Sequence, residues 1–391
     1  MLSGAHVILA LAAAAPWAIA PLVVVWRVRR SRSLDDVPPD IADAARAPLV
    51  SVVIPARNER ANIARCVRSV LASRWPALQV TVVDDHSADD TAAIVRAIAA
   101  GDARLAVIES PPLPAGWFGK QWACAAGARV SRGEVLAFFD ADTMQTPDLL
   151  PRAVNALVER GADLLTVAGR QELGSFWEKV LQPQVFGMLA ARYGGTERVN
   201  RSPHERDKIA NGQCMIFRRA AYDALGGHAA VRDKVAEDLM LAQRMFAAGQ
   251  RVVLILGIHQ LATRMYASLG DIVRGWRKNI FAGALDALPF RAGAWLVLPL
   301  LLIVPPLLQL APPVTFALGL LGAVGPTALL WGAAATLCLL VAWAAIQAWI
   351  GESPLYGFTF PLGAALLLYI VLGAVARGRR VAWKGREYRA A

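Results

Sequence analysis

EVLAFFDADT (134–143) joins five consecutive apolar residues, Val135 to Phe139, to two aspartates one residue apart, Asp140 and Asp142. The apolar run reads as a strand buried on both faces. Two unpaired carboxylates at its end repel each other and are costly to desolvate, so the stretch implies something positive beyond the strand. Upstream, strand-like and helix-like patterns alternate: LVSVVIPA (49–56), a helical 60–73, LQVTVVDD (78–85), a helical 89–100, RLAVIES (104–110), a helical 120–130 and then EVLAFFD (134–140). This rhythm, with strands apolar on both faces, calls for an α/β domain with a mainly parallel sheet covered by helices. Ligands bind such sheets beyond the carboxyl ends of the strands.

Three polar clusters fall on that rim: Pro55-Ala56-Arg57-Asn58-Glu59, Asp84-Asp85-His86-Ser87 and Asp140-Ala141-Asp142. A single carboxylate at a strand end is usually a helix cap, the role expected of Asp89 or Asp90. Three clusters on one rim fit a binding site better. The first strand is not followed by a G-x-G-x-x-G fingerprint, and Gly119-Lys120 continues into Gln121, so it is not a phosphate-binding P-loop. The remaining reading is a nucleotide held by acidic groups and a divalent metal.

At 56% hydrophobic, with a mean hydropathy of +0.42, the chain of 391 residues is too apolar for an ordinary soluble domain of this size. Residues 1–26 carry no Asp, Glu, Lys or Arg, and residues 293–376 carry only Glu352. The expected organisation is an N-terminal transmembrane anchor (1–26), a basic flank and linker (27–48), a catalytic domain (49–260), an interfacial amphipathic region (261–292), C-terminal membrane segments (293–376) and a basic tail (377–391). The first apolar segment is followed, not preceded, by its arginines (Arg27, Arg29, Arg30, Arg32), which favours an uncleaved anchor over a signal peptide and places the next domain in the cytoplasm. The net charge of +11 gathers mostly in that flank and the tail. It therefore reads as positive-inside and headgroup contacts, with no nucleic-acid partner. Cys66, Cys124, Cys214 and Cys338 lack metal-site spacing and are expected to be reduced thiols.

PARNE (55–59), VDDHSADDT (83–91), DAD (140–142), NGQCMIFRR (211–219) and AEDLML (236–241) together resemble the family 2 glycosyltransferases of the GT-A fold. GWFGKQWA (116–123), GWRKN (275–279) and WKGREY (383–388) are similar, more particularly, to membrane-bound bacterial hopanoid-associated and carotenoid (diaponeurosporenoate-type) glycosyltransferases. The resemblance implies that Asp84 or Asp85 contacts the base and ribose of a nucleotide-sugar. Asp140 and Asp142 would hold Mg²⁺ or Mn²⁺ and the sugar diphosphate. Asp238 would be the catalytic base of a single, inverting transfer, beside Glu237. An acidic first turn favoured by the helix dipole is the structural alternative for that pair. Pro55, Arg57, Asn58 and Glu59 would line the donor site, with Arg57 and Asn58 either positioning the nucleotide or closing a turn. Lys120 either meets phosphate or is a solvated helix residue, His86 is a weaker candidate ligand, and Gly212 and Gln213 would form the acceptor floor. The chemistry needs these residue types independently: a diphosphate leaves only when its charge is neutralised, and an attacking oxygen must lose a proton.

Processive relatives carry Q-x-x-R-W after the acidic pair; here the region reads DIVRGWRKN (271–279), which puts polymer synthesis in doubt. Arg274, Trp276, Arg277 and Lys278 suit an interfacial helix with an aromatic anchor and basic headgroup contacts, or an amphipathic core helix. Three apolar blocks follow, about 294–323, 327–350 and 356–376. The first, with Pro305-Pro306 and Pro312-Pro313, would be a kinked helix, a re-entrant segment or a hairpin. Three crossings would leave the basic tail outside, so either four crossings or one non-spanning segment is expected. So much membrane beside an active site points to a lipid acceptor with a hydroxyl, carboxyl or phosphate: a hopanoid or carotenoid by resemblance, a polyprenyl phosphate, glycerolipid or ceramide equally by physics. The resemblance also implies a multi-pass protein of a bacterial inner membrane. A non-catalytic scaffold and a transporter are the rival classes, and the second has no intramembrane charge pair to support it.

Overall fold

The structure is a computed structural model that describes residues 3–41, 43–286, 291–378, 380–383 and 386–389. Lys384 and Gly385 of the tail motif and residues 287–290 lie outside them. The strands are β1 (Val50–Ala56), β2 (Leu78–Asp84), β3 (Leu105–Glu109), β4 (Val135–Phe139), β5 (Thr143–Gln145), β6 (Leu164–Ala168), β7 (Arg170–Gln171), β8 (Cys214–Arg218), β9 (Val252–Leu256), β10 (Leu261–Thr263), β11 (Arg380–Trp383) and β12 (Arg386–Arg389). The helices are α1 (Gly4–Val28), α2 (Ile63–Leu71), α3 (Thr91–Ala99), α4 (Gly119–Val130), α5 (Leu149–Glu159), α6 (Phe176–Tyr193), α7 (Thr196–Arg201), α8 (Arg219–Leu225), α9 (Glu237–Ala247), α10 (Leu269–Asp286), α11 (Arg291–Leu320), α12 (Pro326–Trp349) and α13 (Phe360–Arg377).

The central sheet runs β3-β2-β1-β4-β8-β6-β9. All neighbours are parallel except β8, which is antiparallel to both β4 and β6. The mainly parallel sheet expected from the sequence is present, and the βαβ boundaries agree to within a few residues. Alternation sends Val52, Ile54, Ala137 and Phe139 into one core with α2 and α5, and Val53, Leu136 and Phe138 into another with α4 and α9. That is why the strands are apolar at every position. α2 buries Ile63, Cys66, Val67 and Val70, the stripe of a helix lying on a sheet. On the other face α4 packs so closely that a Cβ on Gly127 would strike the Val53 side chain.

The segment expected to be a linker is held to the domain over its first part. Leu34 is buried, the Arg152 guanidinium donates to the carbonyls of Leu34 and Val37, and Asp35 accepts from Gln260 at 2.6 Å. A second sheet, β5-β10-β7, extends the domain to Thr263. A third core joins α6 (Leu181, Val185), α10 (Ile272, Trp276, Phe281), α11 (Leu298, Leu302) and α13 (Leu367, Ile370, Val371). This packing corrects the aromatic-anchor reading of Trp276: its ring is 8% exposed, packed between Phe186 and Tyr266.

Among the described residues, four helices are long and apolar enough to cross a membrane, at Gly4–Val28, Leu296–Leu320, Pro326–Trp349 and Pro354–Arg377, the last including the 3₁₀ turn before α13. The proline-rich block is one 30-residue helix, α11, with five internal prolines, so the re-entrant and hairpin alternatives do not hold. Prolines are tolerated where neighbouring helices and local adjustments re-satisfy the freed backbone. Its exposed Leu296, Leu300, Leu301 and Leu308, with Ile8 and Leu22 of α1, form the kind of apolar surface that a soluble protein does not leave in water.

Candidate active site

Asp140 follows β4, and its backbone N–H donates to the carbonyl of Gln213. That contact exists because β8 runs antiparallel: its amino end, preceded by Asn211-Gly212-Gln213, lies on the same rim as the carboxyl ends of β1, β2 and β4. α9 starts there with Glu237 and Asp238 in its first turn. The Asp238 carboxylate accepts from Gly212 N at 2.9 Å and from Leu239 N at 2.7 Å. A Cβ on Gly212 would sit 3.1 Å from Asp238 Oδ2 and 3.3 Å from Lys120 Nζ, so only a hydrogen fits there without moving either group.

Lys120, in the first turn of α4, lies 2.7 Å from Asp140 Oδ1 and 2.7 Å from Glu237 Oε1. It is thus one of the site's own charges and not a solvated helix residue. Burial opposes its charge, but Asp140 and Glu237 outweigh that and hold the ammonium well above its ordinary value. Glu237 is buried, which would raise it, yet the Lys120 charge keeps its carboxyl below the usual range. Asp238 has no such partner. Burial, then the charge of Glu237, pushes it up to about 6, although Lys120 and the two N–H donors pull the other way. The two neighbouring carboxyl groups are thus shifted in opposite directions.

Asp142 is pushed up to about 8 by burial and by the charges of Asp140 and Glu59, and its Oδ1 is buried without a hydrogen-bond partner. Lys278 of α10 also feels Glu237, Asp140 and Asp238, and burial lowers it to about 8. The sequence pattern had suggested a headgroup contact for this lysine. Asp140, Asp142, Glu237 and Asp238 crowd around Lys120 and Lys278, and a cation would take the place of the proton that Asp142 holds in its absence. Among the described residues no three His, Cys, Asp or Glu side chains form a metal-holding group. The residues present fit a cation held by one or two carboxylates that completes its shell with phosphate oxygens and water.

Along the rim, Arg57 donates to the carbonyls of Asp85 and His86, and Asn58 adopts φ +53° while exchanging bonds with Ser87 and Ala88. These residues close the turn between the β1 and β2 ends. Pro55 sits in β1 beside Val83, and Glu59 N donates to Thr91. Asp84 accepts from Ser87 N at 3.3 Å but keeps a buried, unpartnered Oδ1. Asp89 takes the capping role, accepting from Thr91 N, while Asp90 makes no such bond. His86 lies 2.9 Å from Glu109. Gln213 pairs with Gln171 and Asn211. Arg274 is exposed and paired with Asp271, and Arg277 stacks on Tyr369 of α13, so the structure does not bring these two to the carboxylates.

The family description "Glycosyl transferase family 2" matches residues 51–226. Two curated relatives, 4,4'-diaponeurosporenoate glycosyltransferases of Staphylococcus aureus strains MRSA252 and USA300, are each 26% identical over 238 residues, 60% of this chain. The match spans 61% of their own length. Among solved structures, a mannosyltransferase from Pyrobaculum calidifontis in complex with GDP-Man and Mn²⁺ aligns over 95% of this chain and 98% of its own, with a TM-score of 0.55 and 22% identity. That likeness establishes the GT-A fold. Residues 51–226 thus match the glycosyl transferase family 2 description, and the DAD motif within them shares one rim of the sheet with the Glu237-Asp238 pair that follows.

Proposed function

We propose that the protein transfers one sugar from a nucleotide-sugar to a membrane lipid with inversion. The observation that carries this reading is the opposition of two carboxylate pairs across Lys120: Asp140–Asp142, with an unpartnered oxygen, and Glu237–Asp238, with one member tuned to about 6. Asp140 and Asp142 would hold Mg²⁺ or Mn²⁺, which when bound neutralises the departing diphosphate. Asp238 accepts the proton of the acceptor oxygen as that oxygen bonds to the anomeric carbon. The bond to the diphosphate breaks on the opposite face, and a nucleoside diphosphate leaves. Gly212 N–H fixes the base, and Lys120 holds Glu237 and Asp140 in register. The printed name of the Staphylococcus relatives makes a carotenoid acid the first acceptor to try, one that enters from the apolar phase in its protonated form and gives its carboxyl proton to Asp238.

The test supplies detergent-solubilised protein with UDP- or GDP-hexoses, Mn²⁺ or Mg²⁺ and a lipid extract, and measures nucleoside diphosphate release. Release that needs both metal and lipid supports the reading. Metal-dependent nucleotide binding without release from any donor would leave a binding scaffold instead.

We also propose that α11 and α12 cross the membrane as a hairpin while α13 lies along its surface. Both ends of α13 meet the catalytic domain or helices packed on it. At its start Gln184 of α6 donates to Phe360 O, just after the α12 end is tied to α6 by Gln347 on Lys179 O and by the Lys179–Glu352 pair at 2.9 Å. At its end a Cβ on Gly373 would lie 2.5 Å from Arg277 of α10. This arrangement satisfies the parity that the basic tail demands. Single cysteines at Gly322, Ser353 and Arg389, labelled in oriented vesicles, are expected to report Gly322 on one face and the other two together on the opposite face. Ser353 and Arg389 on opposite faces would make α13 a third crossing.

A further inference from the structure

The tail closes onto the nucleotide end of the candidate site. Asp85, at the end of β2, has a carboxylate 3% exposed whose Oδ2 accepts from Arg386 Nη1 at 2.6 Å. Arg386 stands 301 positions further along the chain, on β12 of the terminal strand pair β11–β12. Arg57, whose guanidinium holds the Asp85 and His86 carbonyls, lies 3.9 Å from the same oxygen. Asp85 is therefore clamped between one arginine of its own domain and one delivered from beyond the membrane helices. Its Oδ1 is closed off without a hydrogen bond.

A buried ion pair of this kind is a poor source of stability, because desolvation consumes most of the Coulomb gain. Ordering a chain terminus to make it costs conformational entropy as well. The pair is better explained by what it positions. The neighbouring Asp84 and the Arg57–Asn58 turn form the rest of this corner, and the acidic pair after β2 is where the glycosyltransferase reading places the nucleoside. We infer that the docked β11–β12 hairpin forms the nucleoside end of the donor cleft, with Arg386 the positioning residue that, by holding the buried Asp85 carboxylate, fixes the Arg57–Asn58 turn beside base and ribose. This rests on the proposed function for the ligand's identity. The docking itself does not.

Two measurements on the full-length protein in detergent test it. The first is titration with UDP and with GDP in the presence of Mn²⁺. Arg386→Ala is expected to weaken nucleotide binding by about tenfold, Asp85→Asn similarly, and the double variant by no more than either alone, since directly paired side chains are strongly coupled. Arg386→Lys should recover part of the loss, and the melting temperatures of all variants are measured alongside. The second is deuterium labelling of the β11–β12 backbone amides without nucleotide, expected to be slow in the wild type and fast in Asp85→Asn or Arg386→Ala. Unchanged or tighter nucleotide binding by Arg386→Ala, additive losses in the double variant, or equal labelling in all backgrounds would each overturn the inference. A wild type that binds neither nucleotide while its tail remains protected would instead remove the transferase reading, and the donor role of the hairpin with it.

Discussion

Asp238→Asn is expected to lower the turnover number by about 10² to 10⁴, the range that a positioned general base supplies, while Mn²⁺-dependent nucleotide binding stays near wild type. The asparagine keeps the size of the side chain, and its single amide oxygen can accept from Gly212 N or from Leu239 N but not from both, so most of the geometry survives and basicity does not. The wild-type pH profile carries the matching signature. A carboxyl raised to about 6 is protonated, and useless as a base, below that pH, so turnover should fall about tenfold per pH unit beneath it and level off above. The residual activity of Asp238→Asn should lack this acidic limb. An unaltered limb in the variant, or a loss of turnover matched by lost nucleotide affinity, would move the base elsewhere and leave Asp238 a structural cap of α9.

How far this site could be read from the sequence depended on direction and distance. The ends of β1, β2 and β4 were legible because an apolar run followed by aspartates marks both a buried strand and the rim where it stops. Asp140 and Asp142 followed from that alone. The orientation of β8 was not legible: CMIFR is as apolar read in either direction, and only the antiparallel pairing Phe139↔Cys214 brings Gly212 to Asp238. Lys278 was hidden by its setting, since a lysine between arginines and aromatics on an amphipathic helix reads as a headgroup contact. The fold turns it toward Glu237 while Arg277 stacks on α13. Arg386 could not be assigned at all, because nothing local links a tail residue to a strand end 301 positions earlier. The positive-inside rule did expose the parity conflict among the apolar blocks, but hydropathy cannot distinguish a helix that crosses from one that lies on the surface.

Asp142→Asn should abolish metal-dependent transfer and at the same time raise the melting temperature of the metal-free protein. The carboxylate faces the charges of Asp140 and Glu59, and its Oδ1 has no hydrogen-bond partner, while Lys120 is already engaged by Asp140 and Glu237. An ionised group in such a place favours the unfolded chain, where water solvates it. The sign follows from proton binding. The folded carboxyl, raised to about 8 from an ordinary value of 3.8, holds a proton that the unfolded one has released, so wild-type stability declines as pH rises between those limits. Asparagine removes that decline, and the gap between variant and wild type should widen from pH 5 to pH 8. Mn²⁺ should reverse the order by stabilising the wild type through mass action and leaving the variant unmoved. A wild type whose melting temperature ignores Mn²⁺ even with a nucleoside diphosphate present would argue that Asp140 and Asp142 do not hold a cation. Where Mn²⁺ does stabilise the wild type, the instability of the metal-free site is the cost of keeping a carboxylate ready for a cation that arrives with the donor.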